Sequence, residues 1–181
     1  PTCSPSARLR RSSQGIFVRV VATRCHSTDG VIRGFSHTDY PLDLLLEGKR
    51  ETLTVVLPAR DEAATVGTIV ERILALGGLV DQVLVVDADS ADETAAVALA
   101  AGAEVVAQGK LPDDFGPVLG KGDAMWRALS AARGDLVAYI DSDTRNFDAR
   151  FVTGLFGPLI CERDVQFVKG AYRRPFTAGE T

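Results

Sequence analysis

Two carboxylates, Asp141 and Asp143, stand directly after an apolar run at 136–140. Such a run is typical of a central strand in a parallel sheet, because both faces of that strand are covered. Ligands bind beyond the carboxyl ends of the strands in open α/β sheets, so this is where such a sheet would do chemistry. Aspartates also suit turns and helix caps, and the pair alone leaves that interpretation open.

Two further loops are predicted to reach the same edge of the sheet. Residues 58–62 follow a strand predicted at 53–57, and residues 87–90 follow one predicted at 82–86. Carboxylates from three loops at one edge repel one another unless a cation is present, and hard oxygen ligands suit Mg²⁺ or Mn²⁺. The convergence of the three loops therefore predicts a divalent-cation site.

A lysine between two glycines, Lys121, lies at the end of a long loop and at the predicted start of a helix. Helix amides and a lysine together would bind a phosphate, and the glycines let a ligand approach the backbone. A Walker-type loop is excluded, because only three residues separate Gly116 from Gly120 and because Gly122 replaces the required Ser or Thr. The dinucleotide fingerprint of dehydrogenases is absent too.

The elements that must position these loops follow from hydrophobic periodicity. Strand-like and helix-like segments alternate as β-α-β-α-β-α-β, which predicts an α/β fold with a mainly parallel sheet and helices on both faces. Ser90 and Glu93 have the spacing of a capping box at the start of the second of these helices. Beyond Asp143 we expect a short helix that breaks at 157–158 and a last strand at 165–168.

Composition and charge exclude several classes of protein. The chain has 181 residues, 46% of them hydrophobic, and a net charge of -4, so we expect an ordinary globular protein without a nucleic-acid partner. No apolar run approaches the roughly 18 residues of a membrane-spanning helix. The three cysteines are too few and too far apart for a disulfide framework or a zinc site, which predicts free thiols in the cytoplasm.

The chain divides into three predicted segments. Residues 1–28 carry several arginines and serines and no acid, so we expect a disordered or non-native extension there, with a transit peptide as the alternative. Residues 29–50 are predicted to lead into the fold. Residues 51–181 are predicted to form the α/β domain itself.

Several motifs, taken in their order along the chain, resemble one enzyme family. They are 55–62 with Pro-Ala-Arg-Asp-Glu, 85–94 with its Val-Val-Asp, 120–126 with Gly-Lys-Gly-x-Ala-x-Trp, 141–143 with Asp-Ser-Asp, and 172–175 with Tyr-Arg-Arg-Pro. Together they resemble the glucosyl-3-phosphoglycerate synthases, retaining glycosyltransferases of the Rossmann-like GT-A fold. The resemblance covers about residues 50 to 176 and implies that 51–181 is an incomplete nucleotide-sugar-binding domain.

Carried over residue by residue, the resemblance implies a nucleotide-sugar site beside a metal site. The implied nucleotide-sugar contacts are Pro58, Ala59, Arg60, Glu62, Ala88, Lys121, Asp141 and Ser142. Asp143 would bind Mg²⁺ or Mn²⁺ and would act in catalysis with Lys121. If the strand stays extended through Asp143, the two acids lie about 6.5 to 7 Å apart, with Asp141 towards the nucleoside. Apart from the resemblance, the residue types at Tyr172, Arg173 and Arg174 suit a clamp on a phosphorylated acceptor, with solvated surface as the alternative.

The reaction that the resemblance implies is transfer of glucose, with retention, from UDP-glucose to the 2-hydroxyl of 3-phosphoglycerate. The family supplies a histidine metal ligand and most of its acceptor pocket from a C-terminal half that we expect to lie beyond Thr181, so the chain as given is expected to bind nucleotide weakly without turnover. Three alternatives stay open: a GDP-mannose-dependent mannosyl-3-phosphoglycerate synthase, another GT-A transferase, and a nucleotide-binding protein without catalysis. A second copy of the chain, in a homodimer, is a further candidate partner.

Overall fold

The structure is a computed structural model that describes residues 19–22, 33–111, 116 and 121–171. Its strands are β1 (Arg19–Ala22), β2 (Arg33–Ser36), β3 (Leu53–Ala59), β4 (Gln82–Asp87), β5 (Glu104–Ala107), β6 (Leu136–Tyr139) and β7 (Val168–Lys169). Its α-helices are α1 (Leu42–Gly48), α2 (Val66–Leu74), α3 (Thr94–Ala100), α4 (Lys121–Ala128) and α5 (Arg150–Cys161). The chain forms two compact units, one of residues 49–149 and the other of residues before 49 and after 149.

The unit of residues 49–149 is built on a four-stranded sheet with the order β5-β4-β3-β6. All three strand pairs are parallel. This confirms the parallel α/β arrangement predicted from the sequence. The strand order reverses at β3, since β4 and β5 lie on one side of it and β6 returns to the other side. A reversal of this kind is the point at which open α/β sheets bind their ligands.

Helices cover both faces of this sheet. The helix α2 buries Val66, Ile69, Val70 and Ile73, at the spacing predicted for its inner face. It contacts α3, whereas α4 contacts β3. The crossovers run in opposite directions across the sheet, and right-handed connections then place α4 on the face opposite α2 and α3. Val56, Leu84 and Val86 pack with Ala128 of α4 in the core of that face.

The second unit contains a three-stranded antiparallel sheet with the order β2-β1-β7. Its strand β1 lies within residues 1–28, which the sequence predicts to be an N-terminal extension. The expected strand at 165–168 is wrong in its bounds, because β7 begins only at Val168. The amide of Val165 instead donates to the carbonyl of Glu162, which closes a turn before the sheet is reached.

The expected break at 157–158 is wrong, because α5 continues through Pro158 to Cys161. A proline removes one helical hydrogen bond, but the helix continues beyond it, and the amide of Glu162 donates to the carbonyl of Pro158 at 2.9 Å. Gly157 packs against the ring of Tyr40, where a Cβ atom would meet the Tyr40 Cγ at 2.3 Å. The glycine-proline pair at 157–158 therefore does not end the helix, which is closely packed there. None of the helices in the described ranges is long and apolar enough to cross a membrane.

Candidate functional site

A cavity of about 480 Å³ opens at the carboxyl ends of the four parallel strands. Residues from the loops after β3, β4 and β6 all contribute to it, as the sequence analysis expects for loops at one edge. The predicted site residues that it brings together are Pro58, Ala59, Arg60, Glu62, Ala88, Asp141, Ser142 and Asp143. Four lining residues were not predicted as contacts: Val86, Asp89, Gln108 and Ala124.

The remaining predicted residues are only partly placed. Lys121 is the first residue of α4, and its side chain lies outside the described part of the structure. Ala124, on the next turn of the same helix, lines the cavity, so the start of α4 reaches it. The predicted acceptor contacts Tyr172, Arg173 and Arg174 lie outside the described residues.

The loop after β6 is tied to the loop after β3 through Ser142. Its side chain is buried, and its hydroxyl donates to the carbonyl of Pro58 at 2.7 Å. The hydroxyl of Thr65 in turn donates to the carbonyl of Ser142 at 2.6 Å. Since a serine hydroxyl has one proton, this side chain can meet a ligand only as an acceptor. The two bonds therefore fix the loop and restrict what Ser142 can offer.

Asp141 and Asp143 do not lie on an extended strand. The strand β6 ends at Tyr139, one further ladder bond joins the amide of Ile140 to the carbonyl of Val56, and Ser142 and Asp143 form a turn. The condition for the extended spacing of the two acids, a strand that continues through Asp143, is therefore not met. The physical reason is the pair of bonds at Ser142, which draws the backbone inward directly after Asp141. Both acidic side chains are exposed.

The predicted capping box at Ser90 and Glu93 is also wrong. The helix α3 begins at Thr94, and its N-cap residue Glu93 makes no side-chain cap. The hydroxyl of Ser90 instead donates to the carboxylate of Asp87 and accepts from the amide of Asp61 at 2.9 Å. The residue spacing of a capping box is present, but the hydroxyl of Ser90 is used by Asp61 and Asp87 and not by its own helix.

Asp92, and not Ser90, accepts a hydrogen bond from an amide at the start of α3. It accepts from the amide of Thr94 at 2.9 Å and from the amide of Ala63, on the loop after β3, at 3.1 Å. The Thr94 hydroxyl, which also donates to this carboxylate, and these amides hold the pKa of Asp92 below its usual value of 3.8. Asp92 is therefore held as an anion that joins the two loops.

The residues at the cavity fit one mode of metal binding and not another. Among the described residues no group of three or more His, Cys, Asp or Glu side chains could hold a metal ion. The convergence of the loops thus does not create a site closed by protein ligands alone. Mg²⁺ is commonly bound through one or two carboxylates together with substrate phosphates. The carboxylates of Asp143, Asp141 and Asp89, which line the cavity, fit this second mode.

Two of the lining residues missed from the sequence could have been found with rules already applied. Gln108 is the first residue after β5, so the carboxyl-end rule that selected the other three loops selects it too. Asp89 lies in the loop 87–90, which the sequence places at this edge of the sheet, so the same rule that selected the loop selects this carboxylate as a contact. Val86 and Ala124 offer no polar atom in their side chains, and no signal in the sequence marks them.

Comparisons with known proteins agree with this geometry. The glucosyl-3-phosphoglycerate synthase of Mycolicibacterium smegmatis is 49% identical over 125 residues, which are 68% of this chain and 41% of that protein. The crystal structure of mannosyl-3-phosphoglycerate synthase from Rubrobacter xylanophilus has a TM-score of 0.67 at 48% identity, covering 70% of this chain and 43% of that chain.

A third relative was solved with ligands. It is glucosyl-3-phosphoglycerate synthase from Mycobacterium tuberculosis in complex with Mn²⁺, UDP-glucose and glycerol 3-phosphate, with a TM-score of 0.63 at 41% identity over 68% of this chain and 45% of that chain. The chain thus spans less than half the length of each of these relatives. The sequence model of glycosyl transferase family 2 matches residues 54–164, well over half of the chain. The chain, with its parallel sheet and the cavity at the strand ends, therefore belongs to glycosyl transferase family 2.

Proposed function

We propose that this chain binds the nucleotide part of a sugar donor, and that the donor is UDP-glucose in a retaining transfer of glucose to 3-phosphoglycerate. One observation carries the proposal. Eight residues that the resemblance assigns to the nucleotide-sugar and metal sites line a single cavity where the strand order reverses. The donor and acceptor are suggested by the relatives, which are glucosyl-3-phosphoglycerate synthases.

The lining of the cavity suits a nucleoside. Its volume lies within the range of about 300 to 1,000 Å³ that is typical of small-molecule sites. Pro58, Ala59 and Val86 give it apolar surface against which a planar base can pack. Arg60 and Glu62 add a donor and an acceptor beside that surface, so they would orient the base or the ribose hydroxyls.

The diphosphate would lie towards Asp143 and the start of α4. Asp143 would hold Mg²⁺ or Mn²⁺ together with phosphate oxygens, and the bound cation would supply Lewis-acid stabilisation of the departing UDP. The relative solved with Mn²⁺ and UDP-glucose supports this assignment. Lys121, as the first residue of α4, would add a positive charge close to the free helix amides.

Calorimetric titration of the chain with UDP and GDP, each with and without Mn²⁺, tests this proposal. We expect UDP to bind more tightly than GDP and Mn²⁺ to strengthen UDP binding. The variant Asp143→Ala should lose the gain from Mn²⁺ and keep the metal-free affinity. Asp43→Ala is the matched control, since it removes an exposed aspartate on α1 that is not among the residues lining the cavity. An equal gain from Mn²⁺ in the Asp143→Ala variant would contradict the metal assignment.

Two alternatives are each favoured by one observation: a mannosyl donor, and a nucleotide-binding chain without turnover. The same titration, together with an assay for the product, separates them from the proposal. Tighter binding of GDP would support a mannosyl donor, which the similarity to the Rubrobacter xylanophilus synthase suggests. The chain spans about two fifths of the length of its curated relatives. Tight UDP binding without formation of glucosyl-3-phosphoglycerate from UDP-glucose and 3-phosphoglycerate would therefore indicate a nucleotide-binding chain that needs further residues for turnover.

A further inference from the structure

We infer that Asp61 is a positioning residue that fixes the spacing between two walls of the nucleotide cavity. The inference rests on the proposed function, because it concerns the residues that would contact the nucleotide. Asp61 itself does not line the cavity, whereas its neighbours Arg60 and Glu62 do. Within the described part of the chain, its hydrogen bonds are with the loop after β4.

Asp61 and the loop after β4 are joined in both directions. The amide of Asp61 donates to the hydroxyl of Ser90 at 2.9 Å, and the amide of Ala91 donates to Oδ1 of Asp61 at 2.7 Å. The hydroxyl of Ser90 in turn donates a hydrogen bond to the carboxylate of Asp87 at the end of β4. Asp61 donates one hydrogen bond to the loop after β4 and accepts one from it, so the two bonds close a ring between the loops. The loops cannot shift independently without breaking both of these bonds.

The backbone at Asp61 shows what this ring requires. Asp61 has a φ of 56°, a left-handed conformation that most side chains rarely adopt. This turn aims the amide of Asp61 at Ser90 while its carboxylate reaches Ala91. Aspartate and asparagine tolerate the conformation better than other side chains with a carbonyl acceptor. Both the backbone and the side chain therefore limit the residues that can complete the ring.

The position of the ring gives it a functional consequence. On one side it holds the loop that carries Arg60 and Glu62, and on the other it holds the loop that carries Ala88 and Asp89. A nucleoside that contacts both loops binds most tightly if the loops are already at the right separation. Otherwise part of the binding free energy is lost in ordering the two loops. The third loop, with Asp143, is tied to the end of β3 by the bond from Ser142 to the carbonyl of Pro58, which does not involve Asp61. Loss of the ring should therefore weaken nucleoside contacts and spare the metal.

Three variants separate these effects. Asp61→Gly keeps the left-handed backbone and removes the acceptor, and Asp61→Asn keeps both the backbone and an oxygen acceptor. Asp135→Ala is the matched control, because Asp135 accepts from the amide of Thr52 at 2.9 Å at the opposite end of the sheet. Each variant is compared with the unchanged chain in its melting temperature, its affinity for UDP without metal, and the gain in affinity on adding Mn²⁺.

We expect Asp61→Gly to bind UDP about tenfold more weakly, the equivalent of one hydrogen bond to a charged group. Asp61→Asn should restore the affinity, and the relative gain from Mn²⁺ should be the same in all variants. Asp135→Ala should lower the melting temperature without lowering the affinity. The inference is overturned if Asp61→Gly binds UDP normally, if Asp61→Asn binds as weakly as Asp61→Gly, or if Asp135→Ala weakens binding to the same extent.

Amide hydrogen exchange in the ligand-free chain tests the ring without any nucleotide. Asp61→Gly should speed exchange at Ala91 and at Ala88, whose amide donates to the carbonyl of Ala59, and should leave Thr52 unchanged. Unchanged exchange at Ala91 and Ala88 would overturn the inference. If the unchanged chain bound no UDP, the proposed nucleotide would be wrong, and these exchange rates would still decide whether Asp61 holds the two loops together.

Discussion

At the scale of single residues, two hydrogen bonds at Ser142 hold the loop that carries Asp141 and Asp143. The place of Ser142 in the site followed from a motif at the end of a predicted strand, and the residue lines the cavity. Its partners could not be predicted, because Pro58 and Thr65 are 84 and 77 residues away along the chain. The same holds for Ser90, whose bond to Asp61 spans 29 residues and replaced a predicted local cap. Short motifs locate side chains, and distant partners decide which of their atoms remain for a ligand.

Replacement of Ser142 should destabilise the protein. Ser142→Ala removes the bond to the Pro58 carbonyl from a side chain that is only 4% exposed. We expect a loss of about 1 to 2 kcal/mol in the free energy of unfolding, as for other buried hydrogen bonds. Urea denaturation measures it. Ser130→Ala is the control, since that exposed hydroxyl donates to a carbonyl of its own turn. Equal losses in both variants would contradict the bracing role of Ser142.

At the scale of elements, periodicity predicted the strands and helices that carry the cavity. The sequences of β3, β4 and β6 are continuous apolar runs, because these strands pair within the sheet and helices cover both of its faces. Such runs are easily recognised in the sequence. Hydrophobic periodicity did not predict the structure where contacts between residues distant in the chain decide whether a helix continues. The helix α5 continues through Pro158, and only the contact of Gly157 with the Tyr40 ring in the folded chain shows how closely that helix is packed.

The pairing of β3 with β6 depends on a glycine just before β6. A Cβ atom on Gly134 would lie 2.5 Å from the amide nitrogen of Thr54 and 2.9 Å from the carbonyl oxygen of Leu136, both backbone atoms that cannot rotate away. Gly134→Ala should therefore cost about 2 kcal/mol or more in the free energy of unfolding. Gly109→Ala has open space around its Cβ position and should change it by less than about 0.5 kcal/mol.

Denaturant titration of the two alanine variants compares these costs directly. A Gly134→Ala variant as stable as Gly109→Ala would mean that the start of β6 can shift without loss. In that case the close approach of residue 134 to β3 would not be needed to hold the loop that carries Asp141 and Asp143.

At the scale of the whole molecule, every residue that lines the cavity belongs to the unit of residues 49–149. The parallel sheet of this unit was predictable because alternating strands and helices leave few other folds. The antiparallel sheet of the other unit was not, since β1, β2 and β7 have only two to four residues each. Strands this short carry too little periodicity to be recognised. The segment boundaries predicted at residues 28 and 50 stay a prediction.

The stability of the protein should fall in acid. The Thr94 hydroxyl lowers the pKa of Asp92, the Arg133 guanidinium lowers that of Glu104, and the backbone amide of Thr52 lowers that of Asp135. A carboxyl with a lowered pKa in the folded state stabilises the fold above its unfolded pKa, here 3.8 to 4.5. This stabilisation is lost as the pH falls through the lower, folded values.

Urea unfolding at a series of pH values measures this dependence. The free energy of unfolding should change little between about pH 7 and pH 5 and should fall steadily below about pH 4.5. Glu104→Gln should flatten part of that fall, because it removes one titrating group while an amide oxygen remains to accept from Arg133. A fall of unchanged size in this variant would show that Glu104 does not contribute to it.

The side chains that hold the loops together are mostly not those that face the cavity. Asp61, Ser90 and Asp92 make the bonds, whereas Ala88 and Gln108 line the wall. Substitution of the Ala88 or Gln108 side chain therefore removes none of these bonds, so the lining can vary at these two positions while the loops stay joined. Change at such positions is then limited by the contacts that a ligand requires more than by the stability of the scaffold.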